Sequence, residues 1–199
     1  MSSLDVEVTG VDLSEHMLQS GRTMLANAKL PKPPELLFGD ARTVRLEQKF
    51  DAVTSLFHVM SYQTTELDAL AVLTTAWEHL MPGGMFLFDF WFGAGVLSDP
   101  PTYRGKIMED AHTHVLRTAT PDHRIEQNIV EVNYNISLTD KTNSSTSQLD
   151  EKHTMRYWFL PELSYPAKNV GFTVRQSGSW LSNDPVHLST WNRWLLLQR

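Results

Sequence analysis

His79-Leu80-Met81-Pro82-Gly83-Gly84-Met85-Phe86-Leu87-Phe88-Asp89-Phe90 is the stretch on which the fold turns. Before it, Leu67, Leu70, Ala71, Thr74, Trp77 and Met81 recur at helical spacing, and Pro82-Gly83-Gly84 cannot continue that helix. The apolar run Met85 to Phe90 follows at once and reads as a strand, so a helix hands directly to a strand. Moving outward, Phe50 to Leu56 is apolar apart from Asp51, Thr54 and Ser55, which predicts a strand buried on both faces. Glu35 to Phe38 is a short strand turning at Gly39-Asp40-Ala41. Earlier still, Val6 to Val11 is a strand ending in Asp12-Leu13-Ser14. Ser14 can cap a helix with apolar positions Met17, Leu18, Gly21, Met24, Leu25 and Ala28, stopped by Pro31, Pro33 and Pro34. Strand and helix alternate, which is the pattern of an α/β fold with a parallel sheet covered by helices.

After Gly93 the period becomes two, clearest in Val130, Val132, Tyr134, Ile136 and Leu138. The turn Pro121-Asp122-His123 and the polar loop Lys141 to Ser147 divide three strands, near 112–120, 125–139 and 150–160. They form an antiparallel β meander inserted in the α/β frame. Pro161 to Lys168 predicts a short helix, and Gly171 to Val174 and Trp191 to Leu197 predict the last strands of the main sheet. Residues 1–92 and 161–199 thus form the main domain and 93–160 the insertion.

The 199 residues suit one domain with an insertion, and 41% hydrophobic with 20% charged residues is ordinary for a packed fold. A formal charge of -6 argues against nucleic acid as a partner. Without cysteine, disulfides, thiolate nucleophiles and Cys-ligated zinc are excluded. His112 and His114 share a strand face without a further ligand pattern, so no metal site is expected. The first residues have neither a basic start nor a long apolar run, so no membrane anchor and a cytoplasmic location are the expectations. No P-loop or nucleophile elbow is present.

Asp12, just beyond a parallel strand, stands where a carboxylate accepts hydrogen bonds from ribose hydroxyls, or else it shares helix capping with Ser14. Asp40 and Ala41 stand where an adenine edge would lie, though Gly-Asp is also a common turn. Leu56-Phe57-His58-Val59-Met60-Ser61-Tyr62 runs from a strand into aromatic, His and hydroxyl groups. His58 and Tyr62 there can orient a substrate or accept a proton; the alternative for His58 is a structural role.

Together, Val11-Asp12-Leu13-Ser14 with Met17, Gly39-Asp40-Ala41, Phe50-Asp51-Ala52-Val53 and His79-Leu80-Met81-Pro82-Gly83-Gly84-Met85-Phe86 resemble the class I S-adenosylmethionine-dependent methyltransferases. The segment from Leu56 to Tyr62 and the insertion after Phe90 resemble the small-molecule branch that includes sugar-amine and glycine N-methyltransferases. The resemblance implies a Rossmann-like sheet, S-adenosylmethionine as cofactor and a small-molecule acceptor methylated at nitrogen or oxygen. It implies that Asp12 holds the ribose, Leu13 and Met17 sandwich the adenine, Asp40 and Ala41 read its edge, and Leu56 and Phe57 line the methionine portion. It also implies Tyr62, Trp91, Arg156 and Trp158 beside the acceptor, with the insertion as a substrate cap; core packing is the alternative for the two tryptophans. The family's Glu/Asp-x-Gly-x-Gly-x-Gly loop is not in this sequence. The expectation is therefore a sheet missing its usual first strand, which lies between the second and fourth. The exposed edges could pair two copies into a homodimer, as could the insertion. The competing readings are a truncated, inactive interaction module and a nucleotide-dependent oxidoreductase.

Overall fold

The computed structural model describes residues 6–28, 30–182 and 184–199. The α/β frame opens with β1 (Thr9–Asp12), α1 (Glu15–Ala28) and β2 (Glu35–Phe38). It continues with β3 (Phe50–Ser55), a 3-10 turn at Val59–Tyr62, α2 (Glu66–His79), β4 (Leu80–Trp91) and the short α3 (Gly93–Ser98). A meander follows: β5 (Arg104–Glu109), β6 (Thr113–Arg124), β7 (Ile129–Asp140) and β8 (Ser145–Arg156). The chain closes with α4 (Leu160–Val170), β9 (Thr173–Ser179) and β10 (Asn192–Gln198).

The main sheet is split. β1 pairs in parallel with β2 as one ribbon, and a second sheet runs β3-β4-β10-β9, parallel between β3 and β4 and antiparallel beyond. Among the described residues no strand lies between β1 and β3, which is where the sequence predicts a missing first strand. β3 consequently departs from the double burial its composition predicts: it is an edge strand with no partner on its free edge among the described residues, and Asp51, Ala52 and Thr54 are exposed. β1 starts at Thr9 rather than Val6, since the pairing with β2 begins with Thr9 opposite Glu35.

Pro82-Gly83-Gly84 breaks the helix but lies inside β4, as an irregularity between the pairs Phe50–Leu80 and Ala52–Met85. Gly83 takes φ 83°, and a Cβ on Gly84 would meet the Met81 and Asp51 carbonyl oxygens at 2.9 and 3.0 Å. Only glycine fits this detour. From it β4 descends with Phe86, Phe88 and Phe90 fully buried against α2 and α4, whose Leu73 and Leu163 are equally buried. Thr65 starts α2 by accepting the Asp68 N–H on its hydroxyl at 3.1 Å.

The meander has four strands, not three. β5 is exposed along its length and shows no alternation that would betray it. Pro121-Asp122-His123 is not a turn but part of β6, paired with Val132, Glu131 and Val130. The reversal comes later, at Ile125–Gln127, where Asn128 adopts φ 58°. A second apolar cluster of Val96, Val130, Val132 and Tyr157, with Trp91 and Trp191 against it, joins meander to frame. No helix among the described residues is long and apolar enough to cross a membrane.

Candidate active site

Parallel strands deliver their C-terminal ends to one edge of a sheet. Asp12 ends β1 opposite Phe38 at the end of β2. Its Oδ1 accepts the Ser14 N–H at 2.7 Å, and Ser14 Oγ accepts the Met17 N–H at 3.3 Å, so the capping arrangement is real. Yet Asp12 is exposed and, among the described residues, its Oδ2 has no protein partner. Leu13, Met17 and Phe38 stand open beside it. An exposed carboxylate that can accept, set among open apolar side chains at a strand end, fits an adenosine, whose hydroxyls and base need those two surfaces. Asp40 is differently employed: Arg42 Nε donates to both its oxygens at 3.0 Å, and Arg42 also binds Asp68 at 2.8 Å. The Arg42 guanidinium holds the Asp40 carboxyl below the usual carboxylate range. Its side chain thus serves the turn, while Ala41 packs against the core.

At the end of β3, Phe57 and His58 both take left-handed backbone, at φ 63° and 66°. Such strain in bulky residues persists only when neighbours impose it. Here Asp89, with no exposed surface, accepts the His58 N–H on both oxygens at 3.1 Å. His58 Nδ1 lies 2.7 Å from Asp89 Oδ2, in contact but off the line of a ring N–H bond. Phe57 is left 80% exposed, and Leu56 is half-buried behind it. The 3-10 turn after them is pinned from two sides: Ser61 Oγ accepts the Trp91 N–H at 2.8 Å, and the Trp158 indole donates to the Met60 carbonyl at 3.1 Å. That fixes Tyr62.

Between frame and meander lies a cavity of about 370 Å³ lined by Trp91, Trp191, Arg104, Ala119, Val132 and Tyr134, among others. Directly opposed residues of a sheet share a face. One face of the meander therefore carries the rows Lys106–Arg117–Ile136, Arg104–Ala119–Tyr134–Glu151 and Pro121–Val132–His153. Arg117 lies 5.1 Å over the Tyr134 ring, and no carboxylate pairs with Arg104, Lys106 or Arg117 among the described residues. At the other end of the same face the Tyr62 hydroxyl is 2.7 Å from His153 Nδ1, and His153 Nε2 is 3.2 Å from Glu151. Burial first, then Tyr134 and Glu151, push the Tyr62 phenol up.

Of the residues expected beside an acceptor, Trp91 lines the cavity, while Tyr62 is outside its lining and reaches it only through His153, whose ring meets the cavity-lining Tyr134. Trp158 does not: it has no exposed surface and belongs to the core. Arg156 also lies elsewhere, stacked 4.0 Å over Trp158 and bound to Glu66 and Glu162. His153, Glu151, Arg104 and Trp191 were not singled out from sequence. Glu151 and His153 could have been, since residues two apart on a strand share a face.

Residues 1–84 match a family described as Methyltransferase domain. The chain is 32% identical over 107 residues to the dTDP-3-amino-3,4,6-trideoxy-alpha-D-glucopyranose N,N-dimethyltransferase of Streptomyces venezuelae, covering 54% of this chain and 43% of that protein. The chain thus spans less than half the length of that curated relative. A S-adenosylmethionine-dependent methyltransferase from Clostridium acetobutylicum superposes with TM-score 0.81 at 20% identity, over 97% of this chain and 75% of its own. DesVI of Streptomyces venezuelae superposes with TM-score 0.74 at 20% identity, over 95% and 72%. Along nearly its whole length the chain has the fold of these S-adenosylmethionine-dependent methyltransferase structures, and its first 84 residues match the methyltransferase-domain family.

Proposed function

We propose that this chain transfers a methyl group from S-adenosylmethionine to an amine of a small acceptor that also carries a negative charge. The observation that carries the reading is the cavity between the strand ends and the meander, walled by Trp91, Trp191 and Tyr134 and bordered by Arg104 and Asp99, with Lys106 and Arg117 adding positive charge on the same meander face. Unpaired cations beside an aromatic-lined cavity suit a phosphate-bearing ligand. An amine at the other end of such a ligand agrees with the dTDP-amino sugar in the name of the Streptomyces venezuelae relative.

The bound cofactor supplies an activated methyl on sulfur, so alignment and exclusion of water do most of what remains. Asp12 would hold the ribose, Leu13 and Met17 the adenine, Ala41 its edge with Asp40 shaping that turn, and Leu56 and Phe57 the methionine portion. Residues 93–160 act as the acceptor's cap, with residues 1–92 and 161–199 as the cofactor-bearing frame. His58 and Tyr62 are the groups of the site able to handle a proton, and Trp91 the aromatic wall near the sulfonium. The unpaired edges of β1 and β3 and the exposed β5 give a homodimer two routes. Sedimentation across a tenfold concentration range tests that point.

The decisive test is calorimetric titration with S-adenosylhomocysteine. Micromolar binding that Asp12→Ala weakens roughly tenfold supports the site, since losing a charged hydrogen bond costs about 1.5–3 kcal/mol. A folded chain that binds none would end the enzyme reading for these residues.

A further inference from the structure

Tyr62, His153 and Glu151 form a hydrogen-bonded chain that nothing in the core requires. An ionised carboxylate only accepts, so the 3.2 Å contact to Glu151 assigns hydrogen to His153 Nε2. Nδ1 of the neutral ring must then accept, and the Tyr62 hydroxyl donates to it at 2.7 Å. The direction is fixed: a proton delivered to the Tyr62 oxygen has a path to an imidazole whose cation Glu151 stabilises. The chain also has the right address. The His153 ring meets Tyr134 edge-on at 5.2 Å, Tyr134 lines the cavity, and Glu151 is its cross-strand partner. Arg104 lies in the same cross-strand row at the far side of Tyr134, so that ring stands between the cation and carboxylate that line the cavity, Arg104 and Asp99, and the Tyr62–His153–Glu151 chain next to it.

We infer that Tyr62, His153 and Glu151 are the proton outlet of the acceptor site, receiving the proton of an amine that arrives as ammonium. This rests on the methyl-transfer reading above. The ammonium N–H bond breaks as its hydrogen passes to the Tyr62 oxygen and the Tyr62 hydroxyl hydrogen passes to His153 Nδ1. The freed pair on nitrogen forms the new C–N bond while the methyl–sulfur bond breaks, its electrons staying on sulfur. A methylated ammonium, a neutral thioether and an imidazolium result, and His153 is exposed enough to release its proton to water. Tyr62 touches the acceptor; His153 and Glu151 act through it as positioning residues.

The groups facing His153 are Tyr62 from the 3-10 turn, Tyr134 from β7 and Glu151 on its own strand, with Arg117 over the Tyr134 ring. The test begins with the ring nitrogens of His153, followed by NMR against pH in the chain alone. The Nε2–H tautomer is expected. Glu151→Ala removes the acceptor of Nε2–H and Tyr62→Phe the donor to Nδ1, so each should shift the tautomer balance of the neutral ring. A balance unmoved by either change would overturn the relay. The second arm measures methyl transfer to a dTDP-linked amino sugar from pH 6.5 to 9.5. Tyr62→Phe and His153→Gln should lose on the order of 100-fold at the acid end, the low end of what a positioned base supplies, and approach wild type where the amine arrives neutral. An equal loss at every pH would mean a structural role and sink the inference. Failure of the wild type to bind S-adenosylhomocysteine would instead overturn the methyl-transfer reading, and the outlet with it; the NMR arm tells the two failures apart.

Discussion

A buried carboxylate costs several kcal/mol unless donors surround it, and Asp89 has found its donor at a turn where two successive residues are strained. It holds the His58 N–H, and by doing so holds Phe57 and His58 in left-handed conformations that together cost on the order of 2 kcal/mol. Asp89→Ala should therefore destabilise by roughly 2–4 kcal/mol, because the His58 N–H is left without its acceptor and the strain without its clamp. Urea unfolding of the variant measures it, and a loss under 1 kcal/mol would show that the turn holds itself. Phe57→Gly separates strain from function. Phe57 is 80% exposed and has little packing to lose, so glycine should leave stability unchanged or raise it by up to about 1 kcal/mol. If Phe57 lines the methionine portion of the cofactor, affinity for S-adenosylhomocysteine should fall in the same variant. Unchanged affinity would remove Phe57 from the site.

The elements differ sharply in how firmly they are held. β1, α1 and β2 bury one side chain, Leu18, whereas β4 and β10 bury Phe86, Phe88, Phe90, Leu195 and Leu197. Local opening costs little where few apolar contacts must break. Amide exchange over residues 9–38 should thus lie within about 2 kcal/mol of unprotected rates, with β4 and β10 exchanging only on global unfolding, and S-adenosylhomocysteine should slow the first group selectively. Uniform protection would show that the ribbon is coupled to the frame. This weak packing also explains what the sequence did and did not disclose. Helix α2 and strands β4 and β10 are readable because period and terminators agree with the burial they meet, and β2 by its terminators alone. The apolar stripe of α1 was readable too, but Met17 and Met24 remain exposed because the sheet that would cover them is split. β5 carried no alternation, and Pro121 looked like a turn because its pairing with Val132 is a tertiary fact. At the candidate site, the placement of Asp12 at the end of strand β1 and of Tyr62 just after β3 is legible in the sequence. That of His153 is not, since its meaning lies in Tyr62, 91 residues away.

Across the whole molecule the ion pairs join what the hydrophobic contacts leave separate. Arg42 ties the turn after β2, through Asp40, to Asp68 on α2. Arg156 ties β8 to Glu66 on α2 and Glu162 on α4. Within the meander Glu131 takes Lys152 and Arg124. In each group a carboxyl is held below its ordinary range: Asp40 by hydrogen bonds from Arg42, Asp68 by Thr65 and then Arg42, Glu66 by Arg156 and Glu131 by Lys152. A carboxyl whose folded pKa is depressed binds its proton more readily in the unfolded chain, so the stability it contributes is present above the unfolded value and is lost as pH falls through the folded one. Unfolding midpoints should consequently stay level from about pH 8 to 5 and fall steeply below about pH 4. Each group keeps at least one exposed partner, while Arg156 and Glu131 are buried, so 0.5 M salt should flatten that fall only in part. Because the same acid range loosens frame, meander and their junction together, tryptophan fluorescence and far-ultraviolet circular dichroism should report one shared transition at pH 7 and at pH 4. Separate transitions at pH 4 would mean that the Arg156 junction fails first and that the meander keeps its own fold without the frame. The acceptor cavity, bordered by both, should then open before either half melts.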